Sequence, residues 1–96
     1  MKVIWKYHIH TLGSWIYPLP KGAKFLSLGK QKNPDAMFKN NIVFWAEVDP
    51  KQQEQENWRI HVVPTGSSVP ENSTFLGTLI MSEEPPVVFH VYMERK

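Results

Sequence analysis

The chain has 96 residues, no cysteine and a net charge of +2, with a pI near 9.0. A chain of this length builds one hydrophobic core, so we expect a single domain spanning residues 1–96. Without cysteine it has no disulfide framework, thiolate nucleophile or Cys-type zinc site. Its 42% hydrophobic content includes four Trp, five Phe and three Tyr, which argues against a disordered chain.

The N-terminal apolar residues are interrupted by Lys2 and Lys6, and no later window has the length of a membrane span or signal segment. We therefore expect a cytoplasmic protein that is neither secreted nor inserted in a membrane. The triplet Asn72-Ser73-Thr74 fits the glycosylation pattern but needs a secretory route. The lysines are dispersed rather than clustered, so binding to duplex nucleic acid is not expected.

Period-two alternation predicts most of the strands. In the first, the buried face should be Val3, Trp5, Tyr7 and Ile9, and the polar face Lys2, Lys6, His8 and His10. Segment 15–20 contains two prolines, which cannot donate to a ladder, so it should lie at a sheet edge or form an arch. A third strand is predicted over 23–29, with Phe25 on one face and Leu26 and Leu28 on the other, followed by a long polar loop over 30–41.

Segment 42–49 is apolar on both faces, which is typical of a central strand. Segment 51–57 is polar throughout and should be an exposed hairpin loop or at most a helical turn. Further strands are predicted over 58–63, 75–81 and 87–93, with a turn-rich stretch at 64–72.

Seven antiparallel strands with little or no helix predict an all-β fold, either a small sandwich or a barrel. The exposed, proline-bearing edge strand favours a homo-oligomer, in which a second copy covers that edge.

The histidines suggest a metal site only weakly. His8 and His10 share one strand face, but a third ligand would have to be His61 or His90, and no carboxylate lies at a metal-site spacing. Solvent-exposed strand histidines are the favoured interpretation, so no metal and no cofactor are expected. His90, between apolar neighbours in a strand, should be a partly buried, hydrogen-bonded group.

Catalysis is weakly supported. Ser67 and Ser68 lie near His61, but there is no G-x-S-x-G elbow and no acid placed to orient the base. Most carboxylates are in loops where nothing would raise a pKa into a useful range. Enzyme status stays open and is disfavoured; the enzymatic alternative is a hydrolase of small phosphorylated compounds that uses His61 and His90.

The best binding candidate combines a strand-borne cation with a Gly/Ser turn, which could present guanidinium, hydroxyl and backbone N–H donors to an anion. Tryptophans at accessible positions could stack a base. We expect Trp15 and Trp58 to be accessible because they adjoin a Gly turn and a polar loop. The candidate ligand-binding residues are Arg59, His61, Thr65, Gly66, Ser67, Ser68, Trp58 and Trp15.

Segments spread in order over nearly the whole chain resemble a family of small bacteriophage and prophage proteins of unknown function. They are Val3-Ile4-Trp5-Lys6-Tyr7, Leu19-Pro20-Lys21-Gly22-Ala23-Lys24-Phe25-Leu26-Ser27-Leu28, Phe44-Trp45-Ala46-Glu47-Val48-Asp49-Pro50, Thr65-Gly66, Phe75-Leu76-Gly77-Thr78 and Val88-Phe89-His90-Val91-Tyr92. Where that family reads G-T-G-H-P-I-P, this chain has Pro64 to Pro70 without the first Gly or the His. The resemblance implies a phage-encoded protein that works in the host cytoplasm.

Two functional hypotheses follow. In the first, a non-catalytic anti-defence protein sequesters a nucleotide-type immune signal, in a pocket that protomers could share. In the second, an interaction module blocks a host protein or serves the virion through an exposed strand edge or long loops.

Overall fold

The computed structural model of the chain describes residues 1–9, 12–32 and 40–95. The described residues form seven strands, and they include no helix long and apolar enough to cross a membrane. The strands are β1 (Val3–Ile9), β2 (Gly13–Pro20), β3 (Lys24–Lys32), β4 (Asn40–Val48), β5 (Gln55–Pro64), β6 (Thr74–Glu83) and β7 (Pro86–Arg95). Every pairing is antiparallel, which confirms the predicted all-β class.

The strands divide into a three-stranded sheet, ordered β1-β4-β3, and a four-stranded sheet, ordered β2-β5-β7-β6. The two sheets bury their facing sides against each other, so of the two predicted architectures the fold is the sandwich. The sheets approach closely at Gly77 of β6 and Leu28 of β3, where a Cβ on the glycine would lie 3.0 Å from the leucine Cδ2.

An aromatic cluster centred on Phe44 joins the sheets. Tyr7 stacks on Phe44 with ring centroids 5.0 Å apart, Trp58 stacks on it at 5.9 Å, and Tyr17 meets it edge-on at 5.8 Å. Such pairs add about 0.5–1.5 kcal/mol each beyond the area they bury. Burial also raises the pKa of the Tyr7 hydroxyl, since it disfavours the phenolate.

Two positional predictions are confirmed. The proline-bearing strand β2 is an edge strand, and β4 is the central strand of its sheet. Val43 and Phe44 are both fully buried although they point to opposite faces of β4. At these two positions β4 is therefore buried on both faces, which agrees with apolar residues on both sides of this segment.

Other strand predictions are wrong in detail. A β-bulge between Phe25 and Ser27 leaves Leu26 exposed and places Phe25 and Leu28 on the same core-facing side. Strand β3 continues to Lys32, and residues 33–39 of the predicted loop lie outside the described part. Strand β5 begins at Gln55 inside the predicted polar loop, because pairing with β2 supplies its backbone partners whatever the side chains are.

Trp5 also departs from expectation. The alternation of β1 points it toward the core, opposite the buried Ala46, yet 41% of its surface is exposed. Its neighbours Val3 and Tyr7 do pack on the core. Trp5 therefore lies at the open side of the sandwich, where β1 has no further strand beside it in the described chain.

Candidate functional site

The outward side of the four-stranded sheet carries polar and aromatic side chains that could bind a ligand. Along β5, Trp58, Ile60 and Val62 are buried, so the intervening side chains of that strand point outward. Along β7, Val91 and Met93 are buried in the same way. We call this side the outer face; its central members are Ser14, Arg59, His61, Phe75, Thr78, His90, Tyr92 and Glu94.

A hydrogen-bonded chain crosses three strands of the outer face. The Ser14 hydroxyl lies 2.7 Å from His61 Nδ1, and His61 Nε2 lies 3.4 Å from Glu94 Oε1. A neutral imidazole fits both contacts when its Nε2–H donates to the carboxylate and its Nδ1 accepts from the serine hydroxyl. This order of hydroxyl, imidazole and carboxylate fixes the orientation of a partly buried histidine and supplies the acid that the sequence did not reveal.

A second histidine is held by two threonines. His90 Nε2 lies 2.8 Å from Thr65 Oγ1, and His90 Nδ1 lies 2.9 Å from Thr78 Oγ1. His90 is half-buried, which confirms the expected hydrogen-bonded strand histidine. Thr65 also lines a shallow, mainly apolar cleft of about 430 Å³ with Pro64, Pro86, Val87 and Val88.

A cation and an aromatic pair lie next to each other at the middle of the outer face. Phe75 and Tyr92 have ring centroids 5.3 Å apart. Arg59 pairs with Glu94 across the strands, so it is the diagonal neighbour of Tyr92, at about 7–8 Å between backbone positions. Arg59 makes no hydrogen bond or ion pair with other residues in the described part of the chain, so its guanidinium donors are available.

The predicted anion cradle is not assembled around Arg59. Thr65 follows Arg59 by six residues on an extended strand, a separation of about 20 Å, so one phosphate cannot contact both. In the turn, the Ser67 N–H donates to the Pro64 carbonyl oxygen at 3.2 Å and is already used. Gly66 has a φ of 95°, as the third residue of a type II turn requires, and Ser68 is simply exposed.

The two tryptophans that were predicted to be accessible differ in burial. Trp15 is 38% exposed, which confirms that it is accessible. Trp58 is fully buried, so the expectation that it is accessible is wrong. The strand register points it into the sandwich, where it stacks on Phe44, and the Arg95 guanidinium lies 5.1 Å from its ring.

Of the two histidines predicted to be exposed on the first strand, one lies among the described residues. His8 is exposed, as expected, while His10 lies outside the described residues. Among the residues that are described, no three His, Asp or Glu side chains lie close enough together to hold a metal ion.

Sequence reasoning missed Ser14, Phe75, Thr78, Tyr92 and Glu94. The alternation of 87–93 does place Tyr92 on the same face as His90, and that signal was available. The contributions of Ser14 and Phe75 depend on which strands are neighbours, and the sequence did not give the strand order.

The class of protein is a seven-stranded antiparallel sandwich with an ordered polar and aromatic outer face on its larger sheet. The family model described as a domain of unknown function (DUF7352) matches residues 1–96, so the chain belongs to that family. No curated protein and no solved structure matches the chain.

Proposed function

We propose that this domain is a non-catalytic binding protein that captures a nucleotide-type ligand on the outer face. The observation that supports this most is the unpaired guanidinium of Arg59 beside the Phe75–Tyr92 ring pair. A nucleotide presents an anion and a flat aromatic base a few ångströms apart, and these two features suit a guanidinium and an aromatic surface respectively.

The surrounding groups supply hydrogen bonds of both kinds. His61 and Ser14 lie in the row beside Arg59, and Glu94 is a carboxylate that can accept from a ribose hydroxyl or a base amino group. The Thr65 cleft and His90 lie farther along the same face, within reach of a ligand larger than a mononucleotide.

The biological role that we propose for this capture is anti-defence, in which a phage-encoded protein removes a nucleotide immune signal from the host cytoplasm. Its support is the sequence resemblance to small phage and prophage proteins, together with a face suited to binding. Sequestration needs affinity alone, and a preformed, open face is adequate for that.

Thermal denaturation with a panel of cyclic dinucleotides and cyclic ADP-ribose isomers tests the proposal. A ligand at a hundredfold excess over its Kd should stabilise the fold by about 2.7 kcal/mol. Removing the guanidinium in Arg59→Gln should weaken binding about 10–100-fold, because charged hydrogen bonds contribute about 1.5–3 kcal/mol. Lys24→Gln, at an exposed cation on the other sheet, is the matched control.

The proposal fails if no compound shifts the melting temperature. It also fails if a compound that does so binds Arg59→Gln as tightly as the natural sequence.

The alternative is a module that binds a host or virion protein, and the exposed apolar residues of the four-stranded sheet favour it. Ile16, Phe75 and Ile80 are each 53% exposed and point outward on the two edge strands. A purified, stoichiometric complex lost in Phe75→Lys and kept in Leu26→Lys would support it, since Leu26 is an exposed apolar residue of the other sheet. A complex unaffected by either change would count against it.

A further inference from the structure

In the described part of the chain, the two sheets have four edge strands, β1 and β3 in one sheet and β2 and β6 in the other. An unpaired edge presents backbone N–H and C=O groups to any strand that approaches, and proteins block such edges with prolines, bulges or charges. Such features are present on three of these four edges.

Three edges are blocked. Strand β2 is the edge at which the sequence favoured a homo-oligomer, but Pro18 and Pro20 cannot donate to an added strand. Strand β3 has a bulge between Phe25 and Ser27. Strand β6 has two bulges, and the Lys30 ammonium group donates to the Ile80 carbonyl oxygen, which links β6 to β3.

Strand β1 has none of these features. It pairs with β4 in unbroken register over all seven residues and contains no proline. Its two flanking lysines are turned toward their own sheet, where Lys6 Nζ donates to Gln31 Oε1 at 2.8 Å and Lys2 Nζ lies 3.8 Å from Glu47. Neither ammonium group therefore lies where it would prevent another strand from pairing with β1.

An apolar side chain is exposed along this open edge. Trp5 faces the inner side of the sheet and is still 41% exposed. Trp15 of β2 lies on the same flank, since Tyr7 of β1 and Tyr17 of β2 both contact Phe44. A strand added beside β1 would complete the cover over Trp5 and continue the inner apolar row.

We propose that β1 pairs antiparallel with β1 of a second copy of this chain, which joins the two three-stranded sheets into one of six strands. A two-fold axis at Trp5 places Trp5 opposite its own counterpart and Val3 opposite the second copy's Tyr7, so apolar residues meet along the inner row. On the outer row it places Lys6 opposite Ile4, so no lysine faces another lysine. This dimer is independent of ligand capture on the outer face, which belongs to the other sheet.

The test is the mass of the untagged chain in solution by light scattering and native mass spectrometry over a range of concentrations. The expected species is a dimer of the 11.2 kDa chain. Trp5→Lys should weaken association at least about a hundredfold, because an inward-pointing charge blocks strand addition. Phe75→Lys, at an exposed aromatic residue on edge strand β6, should remain dimeric.

Hydrogen exchange gives a readout that needs no variant. Amides on the free edge of β1 should be protected at high concentration and exchange faster on dilution, while β6 is unchanged. A monomer at every concentration, a dimer that persists in a folded Trp5→Lys variant, or concentration-dependent protection at β6 instead of β1 would each overturn the proposal.

Discussion

Arg59 and Trp58 are adjacent in sequence and have opposite environments. Trp58 is enclosed between the sheets, and Arg59 lies on the outer face without an ion-pair partner among the described residues. A buried cation would lose several kcal/mol of hydration, whereas an outward one keeps its water and its donors. The side of the strand on which a residue falls therefore decides whether its side chain packs between the sheets or stays available at the surface.

Trp58→Ala should lower the free energy of unfolding by about 3–5 kcal/mol, because it removes a fully buried indole from the stack on Phe44. Trp15→Ala is the matched control and should cost about 1 kcal/mol or less, since Trp15 is partly exposed. Urea denaturation followed by far-ultraviolet circular dichroism measures both. Equal losses in the two variants would contradict the assigned burial.

At the scale of the elements, the outer face is built by pairing β5 with β2 and β7, and β7 with β6. The Ser14–His61–Glu94 chain draws on three of these strands, and the His90 contacts draw on β6, β7 and the turn after β5. The turn matters because it holds Thr65 against His90. Its geometry depends on a glycine in a conformation that other residues rarely adopt.

Gly66→Ala should destabilise the fold by about 1–2 kcal/mol, because a Cβ is unfavourable at a φ of 95° even though the space around it is open. The control in the same loop is Ser68→Ala, which should change stability by about 0.5 kcal/mol or less. The midpoint of chemical denaturation reports both effects. If alanine at position 66 is neutral, the turn tolerates another conformation and does not fix Thr65.

At the scale of the molecule, the sandwich measures 44 × 33 × 18 Å and has a single core between its sheets. Several large apolar residues remain outside that core, including Ile4, Trp5 and Trp15 on or near the β1 and β2 edges. A chain this small gains much of its stability from burial, so covering the β1 edge by a second copy would add to it.

If β1 pairs across a two-fold, the melting temperature should rise with protein concentration, by roughly 3 °C for each tenfold increase in a chain of this size. Differential scanning calorimetry of the natural sequence and of Trp5→Lys measures this. The variant should melt at a concentration-independent temperature. A flat dependence for the natural sequence would show that association adds nothing to its stability.

The sequence by itself determined the all-β class, the approximate number of strands and most of their positions, because alternation with period two is typical of a strand with one buried face. It also limited segment 15–20 to a sheet edge or an arch, since prolines cannot donate to a ladder, and the structure places it at the edge. It could not reveal the bulge that exposes Leu26, which depends on how β3 aligns with β4.

Strand order and sheet packing decided which residues form the outer-face contacts and which tryptophan is buried. Glu94, Ser14 and His61 are far apart in sequence, and only the β2-β5-β7 arrangement brings them into contact. Trp58 looked accessible because its sequence neighbours are polar, but its environment is set by the opposite sheet, which periodicity does not describe. The local pattern therefore located the strands, whereas strand order, bulges and the opposite sheet decided which side chains are buried and what they contact.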